Sequence, residues 1–356
     1  MGEAHFYNLD GDEIEKQTTE IKWNAEAAEK AGFEHFMMKE IHEQPKAVAD
    51  TLHSVVKDGS IDLSAVGLTK EDIQSISQIY IVACGSAWHV GMVAQYVIED
   101  LAKIPVRVEL ASEFRYRKPL LDKNGLVILI SQSGETADTL AALREAKNRQ
   151  VKTLAIVNVV GSSIAREADN VFYTLAGPEI SVATTKAYSA QLIAVYTLAL
   201  QFAKERNEIE MSEYEKLIKE LDTLPDKIQE VIDNQEEIQK FAAKQAAAKD
   251  VFFIGRGIDY AVSLEGSLKL KEISYIHSEA YAAGELKHGT ISLIEDGTLV
   301  IGVLTQDELY EKTISNMVEC KSRGAYLMGL TTYGNYTVED TAEFTVYVPK
   351  TDAHFM

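Results

Sequence analysis

Hydroxyl and amide side chains are crowded into the segment ISQSGETADT, residues 130–139, which separates an apolar run from a helical pattern. The candidate ligands in it are Ser131, Gln132, Ser133 and Thr136. At a turn between a strand and a helix, free backbone N–H groups and the positive end of the helix dipole favour a phosphate group, and hydroxyls add hydrogen bonds. We therefore expect a phosphate site here. A serine-rich helix cap that binds nothing is the alternative, and neither Walker A nor G-x-G-x-x-G is present.

A second loop of the same kind, ACGSAWH at residues 83–89, follows the preceding apolar run. After Gly85 it offers the hydroxyl of Ser86 and the backbone N–H of Ala87. Loops at the carboxyl ends of strands in one parallel sheet can converge on one ligand. Cys84 is interpreted as a small packed hydrophobe, because that is the usual state of a lone cysteine at the end of a buried strand.

Two carboxylates and an amine share one stripe of a helical segment, EGSLKLKEISYIH at residues 265–277. Glu265, Lys269 and Glu272 follow each other at steps of four and three, which brings side chains to one face of a helix. A carboxylate held beside an ammonium group can take a proton from one carbon and return it to the next, so the stripe suits proton transfer. An exposed ladder of ion pairs has the same spacing and is the alternative.

The segment EAYAAGELKHGT, residues 279–290, places His288 between Gly284 and Gly289, and we expect it to be a loop. Histidine changes charge near neutral pH, so an exposed loop histidine close to acidic helices is a candidate acid or base. An ordinary surface histidine is the alternative.

These candidates must be positioned by a parallel α/β sheet, because short β-branched runs alternate with longer amphipathic segments from Ile79 onward. The expected strands span 79–83, 105–110, 126–131, 153–158 and 170–174. Helices are expected at 90–101 and 136–148, and a long helix over 184–205 closes the first domain.

The same alternation restarts at Asp250, with a strand at 251–254, a helix from about Tyr260 and a strand at 299–304. A helix from about Glu308 and strands near Tyr326 and Thr345 complete this second copy. We therefore predict two domains of one architecture, 46–208 and 249–356, joined by a charged connector of solvated helices at 209–248. Because the second copy ends straight after a strand, we expect its C-terminal end to be truncated.

The overall composition excludes several classes of protein. The 356 residues, 46% hydrophobic, allow two cores, and 35 basic against 55 acidic residues give a net charge of −20, which argues against nucleic-acid binding. Two distant cysteines, Cys84 and Cys320, fit neither a zinc site nor a disulfide scaffold. The N-terminus has no signal-peptide pattern, and no apolar stretch could span a membrane. We expect a soluble cytoplasmic protein with no metal or cofactor, bound to neither nucleic acid nor membrane.

Five segments together resemble the isomerase part of the glucosamine-6-phosphate synthase family, the glutamine:fructose-6-phosphate aminotransferases. They follow the family's order over nearly the whole chain from His35. The segments are HFMMKEIHEQP (35–45), ASEFRYR (111–117), ISQSGETADTL (130–140), VATTKAYSAQL (182–192) and LEGSLKLKEISYIHSEAYAAGELKHG (264–289).

This resemblance implies two sugar isomerase (SIS) domains, each a flavodoxin-like parallel sheet between helices, in a homodimer that helps convert fructose 6-phosphate to glucosamine 6-phosphate for amino-sugar synthesis. It implies a sugar-phosphate site formed by Ser86, Ala87, Ser131, Gln132, Ser133, Thr136, Val182 and Thr184. It also implies that Glu272 moves the proton between C1 and C2 with Lys269 next to it, and that His288 of a second subunit opens the sugar ring.

Three departures from the family pattern shape the expected function. The family's glutaminase domain would precede residue 1, so residues 1–45 are expected to be its last part and the linker. The family's C-terminal tail, with its Schiff-base lysine, would follow Met356. Ala87 stands where many relatives have a hydroxyl residue, so it can offer only its backbone N–H. We therefore expect a fragment that binds the sugar phosphate but neither hydrolyses glutamine nor completes the isomerisation efficiently.

Two other functions stay open at this point. A self-contained SIS sugar-phosphate isomerase or deaminase would use free ammonia and would be a complete chain, which the uncovered last strand argues against. A SIS module that senses a sugar phosphate would usually carry a basic DNA-binding segment, and this acidic chain has none.

Overall fold

The computed structural model describes residues 5–15 and 29–355 of the chain. Residues 1–4 and 16–28 of the expected N-terminal segment 1–45 lie outside these ranges. The described part of this segment contains a short hairpin and the first helix, and further small elements lead to the first sheet. In chain order they are β1 (Phe6–Tyr7), β2 (Glu13–Ile14), α1 (Phe36–His42), α2 (Gln44–Val55), β3 (Val56–Lys57), β4 (Ser60–Ile61) and α3 (Lys70–Ser75).

Five parallel strands form the first sheet in the order β6-β5-β7-β8-β9. Every residue of β5 and β7 is buried, as expected for apolar strands covered on both faces. The elements are β5 (Ile79–Ala83), α4 (Ser86–Ala102), β6 (Val106–Leu110), α5 (Ala111–Phe114), β7 (Leu126–Ser131), α6 (Ala137–Asn148), β8 (Lys152–Val157), α7 (Ser163–Glu167), β9 (Asn170–Tyr173) and α8 (Thr185–Glu205).

The long helix α8 is the centre of the larger core, which also includes α2 and α4. Residues 190–203 of α8 are all buried, so the helix is covered by protein around its whole circumference. Two helices follow it, α9 (Met211–Asp233) and α10 (Gln235–Gln245). The expectation of solvated helices is wrong for α9, whose Tyr214, Leu217 and Leu221 pack into this core. It fits α10 better, where Phe241 is the buried residue.

The second sheet repeats the strand order of the first as β11-β10-β12-β13-β14, again fully parallel. Both sheets thus have the flavodoxin-like order 2-1-3-4-5, and the predicted α/β fold with two such units is confirmed. The elements are β10 (Asp250–Gly255), α11 (Ile258–Ser274), β11 (His277–Ala282), β12 (Leu299–Leu304), α12 (Tyr310–Lys321), β13 (Tyr326–Thr332) and β14 (Phe344–Val348).

Two predicted boundaries differ in ways that matter for the site. Helix α4 begins at Ser86, four residues before the predicted start, because Gly85 adopts φ 56° and ψ −133° and turns the chain directly into the helix. The segment predicted as a loop from residue 279 begins instead within the edge strand β11. None of the helices in the described part of the chain is both long and apolar enough to cross a membrane.

Candidate active site

A cavity of about 140 Å³ opens at the carboxyl ends of β5 and β7. The chain leaves β5 towards β6 on one side and returns to β7 on the other, so this is the switch point where ligands bind in open parallel sheets. The cavity is mainly polar and is lined by strand ends, the loops that follow them, and residues of the helices α4, α8 and α11. Its lining residues are Cys84, Ser86, Ala87, Ile130, Ser131, Gln132, Thr136, Val182, Thr184, Gln191 and Glu272.

The loop between β7 and α6 forms the hydroxyl-rich end of the cavity. The hydroxyl oxygens of Ser131 and Thr136 lie 2.8 Å apart, and the backbone N–H of Gly134 donates to Ser131 Oγ at 3.1 Å. Thr136 is the N-cap residue of α6, yet its side chain makes no capping hydrogen bond and instead pairs with Ser131 at the cavity wall. The N-terminus of α6 and the hydroxyl groups of Ser131 and Thr136 together form a surface suited to an anion.

Gly134 is required by the close packing of this loop. Its φ of +64° lies in the left-handed region, and a Cβ at this position would lie 2.0 Å from Ser162 Oγ. Ser133, by contrast, does not line the cavity as the structure stands. Its Oγ accepts a hydrogen bond from the backbone N–H of Glu135 at 3.2 Å.

The loop that contains Val182 and Thr184 is held at its first residues by a side chain of α1. The buried carboxylate of Glu40, on α1, accepts hydrogen bonds from the backbone N–H groups of Ile180 (2.6 Å) and Ser181 (3.2 Å). Thr184 adopts φ 53° and ψ 52°, a left-handed conformation that is unusual for a β-branched residue and costs about 1 to 3 kcal/mol. Such strain is found most often where a residue serves a ligand site.

The stripe of charged residues on α11, a helix of the second domain, extends to this cavity. Lys269 Nζ lies 2.5 Å from Glu272 Oε2 and 3.4 Å from Glu265 Oε1, and it donates to the carbonyl oxygen of Ala183 at 2.5 Å. Of the three predicted stripe residues, only Glu272 lines the cavity. Lys269 therefore links the proton-transfer candidate to the strained loop.

Glu265 lies deeper and pairs with a residue that the sequence analysis did not single out. His89 Nδ1, on α4, is 2.6 Å from Glu265 Oε2, and both side chains are buried between the two sheets. The two residues are 176 positions apart, so no local spacing predicts the pair. Their contact fixes α11 against the first domain.

His288 does not reach this cavity within the chain. It is exposed at the end of a short 3₁₀ turn, Ala283–His288, that follows β11. In the described residues, no group of three or more histidine, cysteine, aspartate or glutamate side chains is arranged to hold a metal ion.

Gln191 and Cys84 are lining residues that the sequence analysis did not assign to the site. Cys84 was interpreted as a packed hydrophobe, and it is half-buried beside Ser131. Gln191 follows Thr184 by seven residues, and a helix that starts at 184, as predicted from the sequence, would place both positions on one face. That spacing was the signal that could have identified it.

The second sheet has a loop of matching geometry that holds an internal carboxylate. Gly257 adopts φ 59° and ψ −130°, almost the values of Gly85, and Asp259 occupies the second position of α11 as Ala87 does in α4. Asp259 Oδ2 accepts from the backbone N–H of Thr305 at 3.0 Å, and its other oxygen accepts from the Thr305 hydroxyl. Burial raises the pKa of Asp259 to about 6, against hydrogen bonds that lower it.

Asp259 distinguishes the loop of the second sheet from the expected phosphate loop of the first. Thr305 directly follows β12, as Gln132 directly follows β7. An acidic side chain thus already fills the loop that corresponds to the expected phosphate loop. Only the first sheet keeps this position open.

Comparison with known proteins agrees with this architecture. The SIS domain family pattern matches residues 72–201 and 246–355. A glutamine–fructose-6-phosphate aminotransferase (isomerizing) from Caldanaerobacter subterraneus subsp. tengcongensis is 56% identical over 349 residues, which are 98% of this chain and 57% of that protein. The chain therefore spans little more than half the length of that relative.

Solved structures show the same similarity over most of the chain. The C-terminal domain of glucosamine-fructose-6-phosphate aminotransferase from Francisella tularensis superposes with a TM-score of 0.87 at 39% identity and covers 92% of both chains. A glucosamine-6-phosphate deaminase from Thermotoga maritima gives a TM-score of 0.65 at 25% identity, with 83% of this chain and 84% of that chain covered.

Proposed function

The chain belongs to the SIS domain family and, within it, to the C-terminal part of the glutamine–fructose-6-phosphate aminotransferases, and on that premise we propose that it binds fructose 6-phosphate and carries the isomerisation chemistry of such an enzyme. The observation that carries the proposal is the convergence of seven expected sugar-phosphate ligands and Glu272 on one cavity. The expected product in the complete enzyme is glucosamine 6-phosphate.

The phosphate group is proposed to lie at the N-terminus of α6. Ser131 and Thr136 supply hydroxyls there, and free N–H groups of the helix end supply further donors. Ser133 and Gln132 belong to the same turn, and Ser86 and the Ala87 backbone face it from the neighbouring loop. Val182 and Thr184 then border the sugar.

Glu272 is proposed to move the proton between the first two sugar carbons. Its side chain lines the cavity, and its Oε2 lies 2.5 Å from the Lys269 ammonium group. The carboxylate takes the proton from C1, the electron pair of that C–H bond forms the C1–C2 double bond, and the π pair of the C2 carbonyl moves onto its oxygen, which takes up a proton. The same carboxyl group then returns its proton to C2, and the C1 hydroxyl group loses its proton as it becomes the new carbonyl. One group can serve both carbons because they are adjacent.

Further parts of the proposal concern the protein that contains this chain. We propose a homodimer in the cytoplasm, in which His288 of a second copy opens the sugar ring, and a glutaminase domain that supplies nitrogen from glutamine. His288 is exposed and does not line the cavity of its own chain, which supports a role in a second copy. The similarity to a deaminase keeps an ammonia-dependent sugar-phosphate enzyme as the second candidate.

Calorimetry with the chain and fructose 6-phosphate tests the proposal. Thr136→Val removes the hydroxyl while keeping the side-chain shape, and it should weaken binding by about 1.5 to 3 kcal/mol because a hydrogen bond to a charged ligand is lost. Thr223→Val is the matched control, since the Thr223 hydroxyl is exposed on α9 and donates to the Glu220 carbonyl oxygen. Equal affinities of the wild-type chain and Thr136→Val would place the phosphate elsewhere.

A further inference from the structure

Gln191 is buried with its hydrogen-bonding capacity unused. Its side chain is 1% exposed, and neither Nε2 nor Oε1 has a hydrogen-bond partner among the residues that the structure describes. Several other buried polar atoms share that condition, including Trp88 Nε1 and the Tyr188 hydroxyl, but within the described ranges Gln191 alone of them lines the cavity at the switch point. Gln191 is therefore an unpaired buried amide residue in the wall of the cavity where a ligand is expected.

An unpaired buried amide is expensive for a fold to keep. Its desolvation costs about 1 to 3 kcal/mol unless a partner compensates. A leucine or methionine would pack at the same position of α8 without that cost, and the neighbouring residues of this helix are apolar. The cost is offset if a ligand supplies the missing partners.

We propose that Gln191 binds a hydroxyl group of the sugar, an inference that rests on the proposed function and adds a specificity-determining residue to it. An amide presents both donors and an acceptor, so a hydroxyl group can satisfy both of its ends. A phosphate dianion offers only acceptors and would leave the amide oxygen unpaired. Gln191 therefore recognises the sugar and not the phosphate.

The position of Gln191 in the cavity agrees with this assignment. The residue lies about two turns, roughly 10 Å, into α8, which begins directly after Thr184, while the hydroxyl-rich turn lies between β7 and α6. Cys84 and Ile130, at the ends of β5 and β7, contribute no strong hydrogen-bonding side chain to this part of the lining. The amide is therefore suited to orient the sugar after the phosphate has been anchored.

Calorimetry with two ligands and two variants tests the inference. Gln191→Met keeps the length of the side chain and removes the amide. Its affinity for fructose 6-phosphate should fall by about tenfold to a hundredfold, because up to two hydrogen bonds are lost, while its affinity for inorganic phosphate stays unchanged. Unfolding in urea should show no loss of stability, since the change removes an unpaired polar group.

Gln201→Met is the matched control on the same helix. The Gln201 amide is nearly buried but has partners, since Nε2 donates to Glu205 and Oε1 accepts from the Tyr214 hydroxyl. This variant should lose stability and keep its affinity for fructose 6-phosphate. Gln191→Leu provides a second apolar variant if the methionine does not fold.

The outcomes separate the inference from the proposed function. Unchanged binding of fructose 6-phosphate by a folded Gln191 variant would overturn the inference alone. An equal loss for fructose 6-phosphate and inorganic phosphate would also overturn it, because the amide would then act through the phosphate turn. A wild-type chain that binds inorganic phosphate but not fructose 6-phosphate would refute the proposed function and the inference together.

Discussion

Replacing Gly134 with alanine is expected to displace the turn between β7 and α6 as a unit. The new Cβ would lie 2.0 Å from Ser162 Oγ and 2.5 Å from Ser162 Cβ, whereas ordinary contacts begin at 3.4 Å. The turn must therefore move by more than about 1 Å, because Ser162 is itself buried and cannot withdraw. That shift would break the hydrogen bond from the Gly134 N–H to Ser131 Oγ.

The size of the effect follows from the groups that move. Losing one charge-assisted hydrogen bond to phosphate costs about 1.5 to 3 kcal/mol, which corresponds to a weakening of fructose 6-phosphate binding by roughly tenfold to 150-fold. The left-handed φ of +64° adds about 1 to 2 kcal/mol to the free energy of folding, because a Cβ is disfavoured there. Binding and stability should both fall, and calorimetry with urea unfolding measures the two separately.

Two further variants isolate the steric clash. Gly161 has φ +72°, and a Cβ added there would have no atom within 4 Å, so Gly161→Ala has the same backbone penalty without the clash and should bind normally. Combining Gly134→Ala with Ser162→Gly removes the obstructing atoms and leaves Val157 at an ordinary 3.4 Å, so binding should recover. Full affinity in Gly134→Ala, or equal losses in both alanine variants, would refute the reasoning.

Two other predictions concern acid–base groups. The Glu272→Gln side chain cannot accept a proton, so deuterium exchange at C1 of fructose 6-phosphate should slow by a factor of about 10² to 10⁴ with little change in affinity. NMR measures the exchange rate, and an unchanged rate would exclude Glu272 from proton transfer. The pKa of Asp259 is raised from 3.8 to about 6, so the folded chain binds more protons than the unfolded chain between these values. Acidification from pH 7 to pH 5 should therefore stabilise the wild-type chain relative to Asp259→Asn by about 1 kcal/mol in urea unfolding, and a constant difference would contradict the raised pKa.

The strands of both sheets could be read from the sequence because their burial leaves a local trace. The runs at 79–83 and 126–131 are apolar throughout, and they form β5 and β7 at those residues. Strand β11 was not predicted, because an edge strand with polar residues such as Glu279 has no continuous apolar run. The early start of α4 also escaped, because it depends on a glycine conformation and not on hydrophobic periodicity.

The surroundings of the long helices were decided by packing alone. The charges of α9 suggested a solvated helix, yet the helix is amphipathic and its apolar face covers α2 and α8. Whether such a face meets water or a core depends on which elements lie next to it. A sequence window does not contain that information.

The sequence by itself determined the residue types of the candidate site, because the hydroxyl-rich turn and the carboxylate stripe are local patterns on a strand end and a helix face. Only the tertiary structure decided which of these groups share a cavity and what surrounds them. It brought Glu272 on α11 to the switch point of the first sheet, paired Glu265 with His89, and buried Gln191 without a hydrogen-bond partner among the described residues. The contacts of Glu265 and Lys269 with the first domain join residues 176 and 86 positions apart. Whether a polar side chain needs a partner depends on its burial, which the residue type alone does not determine.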